Sequence, residues 1–146
     1  ESFASMSRNG NIYFMKQNPD GKGTSDIYFS RLSNGAYEQP ENLGPVINTT
    51  FRESNPFISP DEDYLIFFSS DTTGIGEVDL YISFRTRERW TRPVNLGAPV
   101  NSEVGEFCPF FHTREQRLYF SRTIKKANGR REENVYWFSF DPQTYR

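Results

Sequence analysis

Three observations predict an all-β fold of propeller type, in which four-stranded antiparallel blades repeat along the chain. The first is a fixed internal offset: Asp26-Ile27-Tyr28 returns as Asp79-Leu80-Tyr81, and Asn42-Leu43-Gly44 as Asn95-Leu96-Gly97, each 53 residues later. The second is the density of Gly and Pro punctuation, which leaves no room for a helical period. The third is a core supply made of aromatics, 16% of the 146 residues, which suit pleated surfaces better than helix interiors. A constant period of short β-type segments marks a radial or stacked repeat array.

The offset also joins Gly21 to Gly74, Gly23 to Gly76, Asn48 to Asn101, Glu53 to Glu106 and Pro56 to Pro109, and it reaches a third copy through Phe14, Phe67 and Phe120. The middle copy shows the elements best. Strand A is expected over 55–59, ending in the turn Ser59-Pro60-Asp61-Glu62 with Pro at its second position. Strand B is expected over 63–69. Its run Tyr64-Leu65-Ile66-Phe67-Phe68 is apolar without alternation, which predicts a strand covered on both faces. The loop 71–76 follows, its glycines permitting positive φ. Strand C is expected over 79–85, a polar turn at 86–89, and strand D over 90–95, placed at a sheet edge by Pro93. Four strands joined by tight turns make a propeller blade.

The blades are therefore expected at about 1–53, 54–106 and 107–146. In the third copy, strand A is expected over 107–112, strand B over 117–122 and a lengthened B–C loop over 123–133, with the last outer strand missing. Closed propellers need about four blades or more. Three form an open arc, so the chain is expected to be a fragment of a longer propeller or half of a six-bladed one closed by self-association. The apolar faces of the end blades would drive that association.

The motifs Phe57-Ile58-Ser59-Pro60-Asp61, Asp79-Leu80-Tyr81 and Asn95-Leu96-Gly97, with Asn101, Glu106 and Pro109 following, resemble the WD-like β-propeller repeat of TolB type. That repeat is named for its Ser-Pro-Asp-Gly turn. Three departures stand out. Glu62 occupies the usual Gly position, His112-Thr113-Arg114 replaces Ser-Pro-Asp, and the first copy has Ser7-Arg8-Asn9-Gly10. The resemblance implies a bacterial, extracytoplasmic domain of the periplasm or cell envelope. Such domains bind proteins or envelope components, or stand beside a catalytic or peptidoglycan-binding module.

Composition narrows the function classes. A formal charge of −2 argues against a general nucleic-acid binder. No apolar run approaches a membrane span. The single Cys108 forms no internal disulfide and is expected to be a small buried residue. With His112 the only histidine, neither a zinc site nor a Cys–His nucleophile pair can be assembled. No cofactor, metal or catalytic residue is assigned. The chain starts at Glu1 without a leader, which reads as a processed or trimmed product.

Ligand-binding candidates cluster where loops meet strand starts. Glu53 and Glu106 precede strand A and could form a ring of carboxylates, or could each brace a neighbouring loop once per repeat. The repeated Asn48 and Asn101 lie just before them. Arg52 breaks the period, its counterpart being Gly105, and non-repeating loop residues are the better functional candidates. The third B–C loop carries Lys125, Lys126, Arg130 and Arg131, a patch suited to an acidic glycan or protein surface, partly offset by Glu132 and Glu133. Asp26 and Asp79 are expected to cap loop amides. Alanine substitution of Arg52 and Glu106 is expected to leave folding intact. These readings lead to a non-enzymatic domain that recognises a protein or envelope glycan through its loop face. The alternative is an accessory or catalytic propeller of a peptidase or polysaccharide-degrading enzyme.

Overall fold

The computed structural model describes residues 1–17, 23–87 and 89–146. Gly21, one of the repeated glycines, and Glu88 of the polar turn lie outside the described residues. Within them the chain is all-β, built of several antiparallel sheets that do not close into a barrel or propeller. No helix among the described residues is long and apolar enough to cross a membrane.

The first sheet holds β1 (Ser2–Met6), β2 (Ile12–Lys16) and β3 (Asp26–Ser30). A side hairpin of β4 (Leu32–Ser33) and β5 (Ala36–Tyr37) follows, and β6 (Glu41–Asn42) completes the order β1-β2-β3-β6. The second comprises β7 (Glu53–Ile58), β8 (Tyr64–Ser69) and β9 (Asp79–Thr86), with β10 (Arg89–Trp90) and β11 (Val94–Asn95) both pairing with β9. The third is β12 (Glu106–His112), β13 (Arg117–Lys125) and β14 (Arg131–Ser139), followed by a 3-10 turn at Pro142–Tyr145.

Successive sheets pack face to face. β7 lies against β1, β2 and β3, and β12 lies against β7, β8 and β9. The middle sheet is thereby covered twice. Ile58, Leu65, Phe67 and Tyr81 face the first sheet, packing with Tyr13, Ile27 and Ile47. Ile66, Phe68, Leu80, Ile82 and Phe84 face the third with Phe111, Leu118 and Phe120. The unalternating run of β8 predicted this, since every residue from Tyr64 to Ser69 is buried. Each such side chain contributes about 1.5–3 kcal/mol.

Every sheet carries the same irregularity in its first strand. The register slips between Ser2 and Ser5, between Ser54 and Phe57, and between Phe107 and Phe110. Phe3, Asn55 and Cys108 adopt left-handed φ there, as bulges require. The bulges face neighbouring strands: Asn55 Oδ1 accepts from Cys108 N at 3.1 Å, and Ser5 Oγ accepts from Ile58 N at 3.0 Å. This placement leaves Cys108 exposed rather than buried, correcting the sequence expectation.

Two further elements differ from expectation. Strand D is broken into β10 and β11 around Thr91-Arg92-Pro93, where side chains replace ladder bonds. Ser83 Oγ donates to Thr91 O, and Phe84 N donates to Thr91 Oγ1. In the third copy, the residues assigned to a long loop pair instead as a hairpin through Lys125 and Arg131. The connection shrinks to a turn closed by Lys126 N to Arg130 O and Gly129 N to Lys126 O.

Candidate functional site

Strand starts and ends converge at one edge of each sheet, and the repeated polar residues act there as braces. Asn48 is buried, and its amide bonds both the N–H and the C=O of Ile27 at 2.7 and 2.8 Å. Asn101 does the same to Leu80, at 2.8 and 2.9 Å. Each also donates to the preceding asparagine, Asn42 or Asn95. That asparagine in turn donates to Asp26 or Asp79. Asp79 accepts the amides of Ile75 and Gly76, the capping role its position predicts. Neither Gly74 nor Gly76 takes positive φ. Gly76 is needed instead because a Cβ there would strike the carbonyls of Ser102 and Val104 in the next connection.

Glu53 and Glu106 have no exposed surface. Glu53 accepts from Thr49 N at 2.9 Å, Thr49 Oγ1 at 2.7 Å and Ser69 Oγ at 2.8 Å. Glu106 accepts equivalently from Ser102, but its third donor is Arg122 Nε at 2.7 Å. Burial pushes the Glu53 carboxyl upward, and the donors from Thr49 and Ser69 offset this only in part. Truncating Glu106 would strand Arg122 beside a buried void, so a loss of stability is now expected in place of intact folding.

The other candidates divide. Arg52 is exposed and lies 5.0 Å over the Phe68 ring. Lys125 and Arg131 converge on Glu77 in the connection between β8 and β9, Lys125 at 2.8 Å and Arg131 through both terminal nitrogens at 2.8 and 3.0 Å. Hydrogen bonds from Arg131 and Lys125 pull the Glu77 carboxyl down to about 2. Lys126 pairs with Glu132 at 2.5 Å. Among the described residues, Arg52 and Arg130 form no ion pair. The predicted basic patch is thus largely neutralised.

Arg52 and Arg131 meet in one cleft of about 860 Å³. All three copies supply its walls, among them Ser25, Ser70, Glu77 and Thr123. The lining mixes hydroxyls and opposite charges with the rings of Phe68 and Phe107, an arrangement able to hold a polar, charged polymer or peptide. Asn48, Glu53, Asn101 and Glu106 do not line it. No cluster of three His, Cys, Asp or Glu side chains placed to hold a metal occurs among the described residues.

Sequence reasoning missed Glu62. Its φ is +60°, and its carboxylate accepts from Asn11 Nδ2 at 2.7 Å, Tyr13 Oη at 3.2 Å and Arg85 at 2.7 Å. Burial opposes ionisation, yet these donors and the Arg85 charge hold its carboxyl below the ordinary value. An acidic residue at a turn position that favours glycine was the available signal. No protein-family model and no curated protein matches the chain.

Proposed function

We propose that the three sheets are consecutive blades of a β-propeller serving as a non-enzymatic binding domain. It recognises a protein or cell-envelope polymer outside the cytoplasm of a bacterium. The carrying observation is the shared cleft, in which three repeats present Arg52, Arg131 and several hydroxyls to solvent. The resemblance of the repeats to the TolB type supports the assignment of blades and compartment. The test is co-sedimentation with insoluble peptidoglycan, alongside retention on an immobilised acidic polysaccharide. The protein should be retained by one of them, and Arg52→Ala or Arg131→Ala should release it, the first without changing Tm because Arg52 holds no ion pair among the described residues. Retention indifferent to both substitutions, or absent from both supports, would overturn the proposal.

We further propose that the chain self-associates through its end sheets. Ile12 and Tyr28 of the first sheet, each only partly buried, correspond by the repeat to Leu65 and Tyr81, which the middle sheet buries against its neighbour. At the other end Phe110, Val135 and Trp137 remain 53, 72 and 49% exposed. A pair of copies would bury about 1,600 Å² at a standard interface. Light scattering should return twice the chain mass at micromolar concentration; a monomer would refute it.

A further inference from the structure

We propose that a second cleft, beside Ser69, binds a guanidinium group such as an arginine side chain of a partner chain. The argument comes from one repeat position, occupied by Lys16, Ser69 and Arg122 in the three copies. In the third copy, Arg122 fills a site built for it. Nε donates to Glu106 at 2.7 Å, a terminal nitrogen donates to the carbonyls of Pro99 and Val100 at 2.8 and 2.7 Å, and the guanidinium lies 4.9 Å over Tyr136. In the first copy, Lys16 sits 5.3 Å over Tyr28, the residue equivalent to Tyr136.

The middle copy keeps the walls of this site and lacks the cation. Val46 and Ile47 stand where Pro99 and Val100 do, and Glu53 stands for Glu106. Phe67 and Tyr81 stack at 6.3 Å and 26°, nearly as Phe120 and Tyr136 do at 6.3 Å and 20°. In place of the guanidinium there is an open cleft of about 850 Å³, lined by those residues and Ser69. Ser69 Oγ donates to Glu53 and accepts from Asp71 N at 3.2 Å, which leaves one lone pair to accept a donor from the cleft. Asp71 and Arg92 at the rim offset each other, so Glu53 leaves the cleft net negative.

A planar fork of donors fits two adjacent carbonyls, a hydroxyl backed by a carboxylate and an aromatic face better than an ammonium does. The central cleft shares no lining residue with this one, so the two readings stand or fall separately.

The test is a two-dimensional NMR titration of the whole chain with acetyl-Gly-Arg-Gly-amide and with its citrulline counterpart, which keeps the shape but not the charge. The arginine peptide should give saturable shifts at Val46, Ile47, Thr49 and Ser69, and the citrulline peptide should bind roughly tenfold or more weakly. Ser69→Arg supplies the missing side chain from within and should abolish binding. Should that variant not fold, Glu53→Gln should weaken arginine binding while leaving citrulline binding unchanged. Absent shifts at these residues, equal affinity for both peptides, or full arginine binding in either folded variant would overturn the proposal.

Discussion

Replacing Glu53 or Glu106 by Gln separates two carboxylates that the repeat makes nominally equivalent. Both are fully buried and both accept from the residue four positions earlier. They differ in the third donor, a hydroxyl at Glu53 and a guanidinium at Glu106. Glu106→Gln turns a charge-assisted bond into a weak one and leaves Arg122, with 17% of its side chain exposed, partly uncompensated. A hydrogen bond to a charged group contributes about 1.5–3 kcal/mol, and the retained carbonyl contacts limit the damage, so the cost should be about 2–3 kcal/mol. For a domain of this size that lowers Tm by roughly 4–12 °C.

Glu53→Gln should do the reverse. Gln can accept from Thr49 N and donate to the two hydroxyls, and it removes a buried charge with no cation beside it. The gain should be up to about 1 kcal/mol at neutral pH. Its pH dependence has a definite sign. The folded carboxyl titrates above its unfolded value, so the folded state holds more protons between the two. Stability from this group therefore falls as pH rises through that window. The advantage of Glu53→Gln should be complete above the folded value and vanish below about pH 4, where both states of Glu53 are protonated. Thermal unfolding of the three proteins across that range is the assay. Equal losses from the two substitutions, or a Glu53→Gln advantage that grows toward acid, would refute the reasoning.

Glu62→Gly restores the glycine that the turn motif favours, and relief of left-handed strain is worth about 1 kcal/mol. It also removes three bonds to a mostly buried carboxylate, so urea unfolding should show a net loss of about 2–3 kcal/mol, and a gain would count against the Glu62 network. The Glu77 carboxyl resonance should titrate near pH about 2, with the pairing to Lys125 and Arg131 intact above the unfolded value and lost as pH falls through the folded one; an ordinary midpoint would contradict the bidentate contact. Gly76→Ala should cost more than Gly97→Ala, because a methyl at Gly76 meets backbone carbonyls whereas Gly97, at φ +69°, faces open space. Differential Tm shifts check this, and equal losses would reject it.

The strands that sequence reasoning placed well are those whose signal is local. The run Tyr64–Phe68 announces two covered faces by lacking alternation, and β3 and β9 announce themselves by the repeated Asp-x-Tyr. The misplaced segments depend on partners distant in sequence. The 123–133 segment contains two like charges directly opposite each other, Lys125 and Arg131, an arrangement that disfavours a hairpin. It pairs nonetheless because Glu77, in the connection between β8 and β9, binds both. Strand D breaks because Thr91 substitutes its side chain for a ladder bond. Glu53 and Glu106 read as loop carboxylates because nothing local reveals that a neighbouring connection covers them. Arg52 and Arg131 were legible as candidates, and so was the offset of Lys126 by Glu132; the pairing of Lys125 and Arg131 with Glu77 was not.

Recurrence and ligand binding make opposing demands on polar groups. A residue kept at each repeat must satisfy the same scaffold each time, and buried donors and acceptors are costly to leave unpaired. Asn48 and Asn101 show the outcome, each amide held by backbone and a neighbouring asparagine. A ligand needs capacity that the scaffold has not engaged, and a repeat creates it most simply by dropping one member of an otherwise preserved constellation. Ser69 does this: it retains the hydrogen bond to the carboxylate while withdrawing the guanidinium that Arg122 lays across two carbonyls and a tyrosine ring. Arg52, where the next copy has Gly105, adds a cation at a position the repeat does not require. Chemistry available to a partner therefore sits where the copies disagree, and the copy that lacks the group identifies which group would fit.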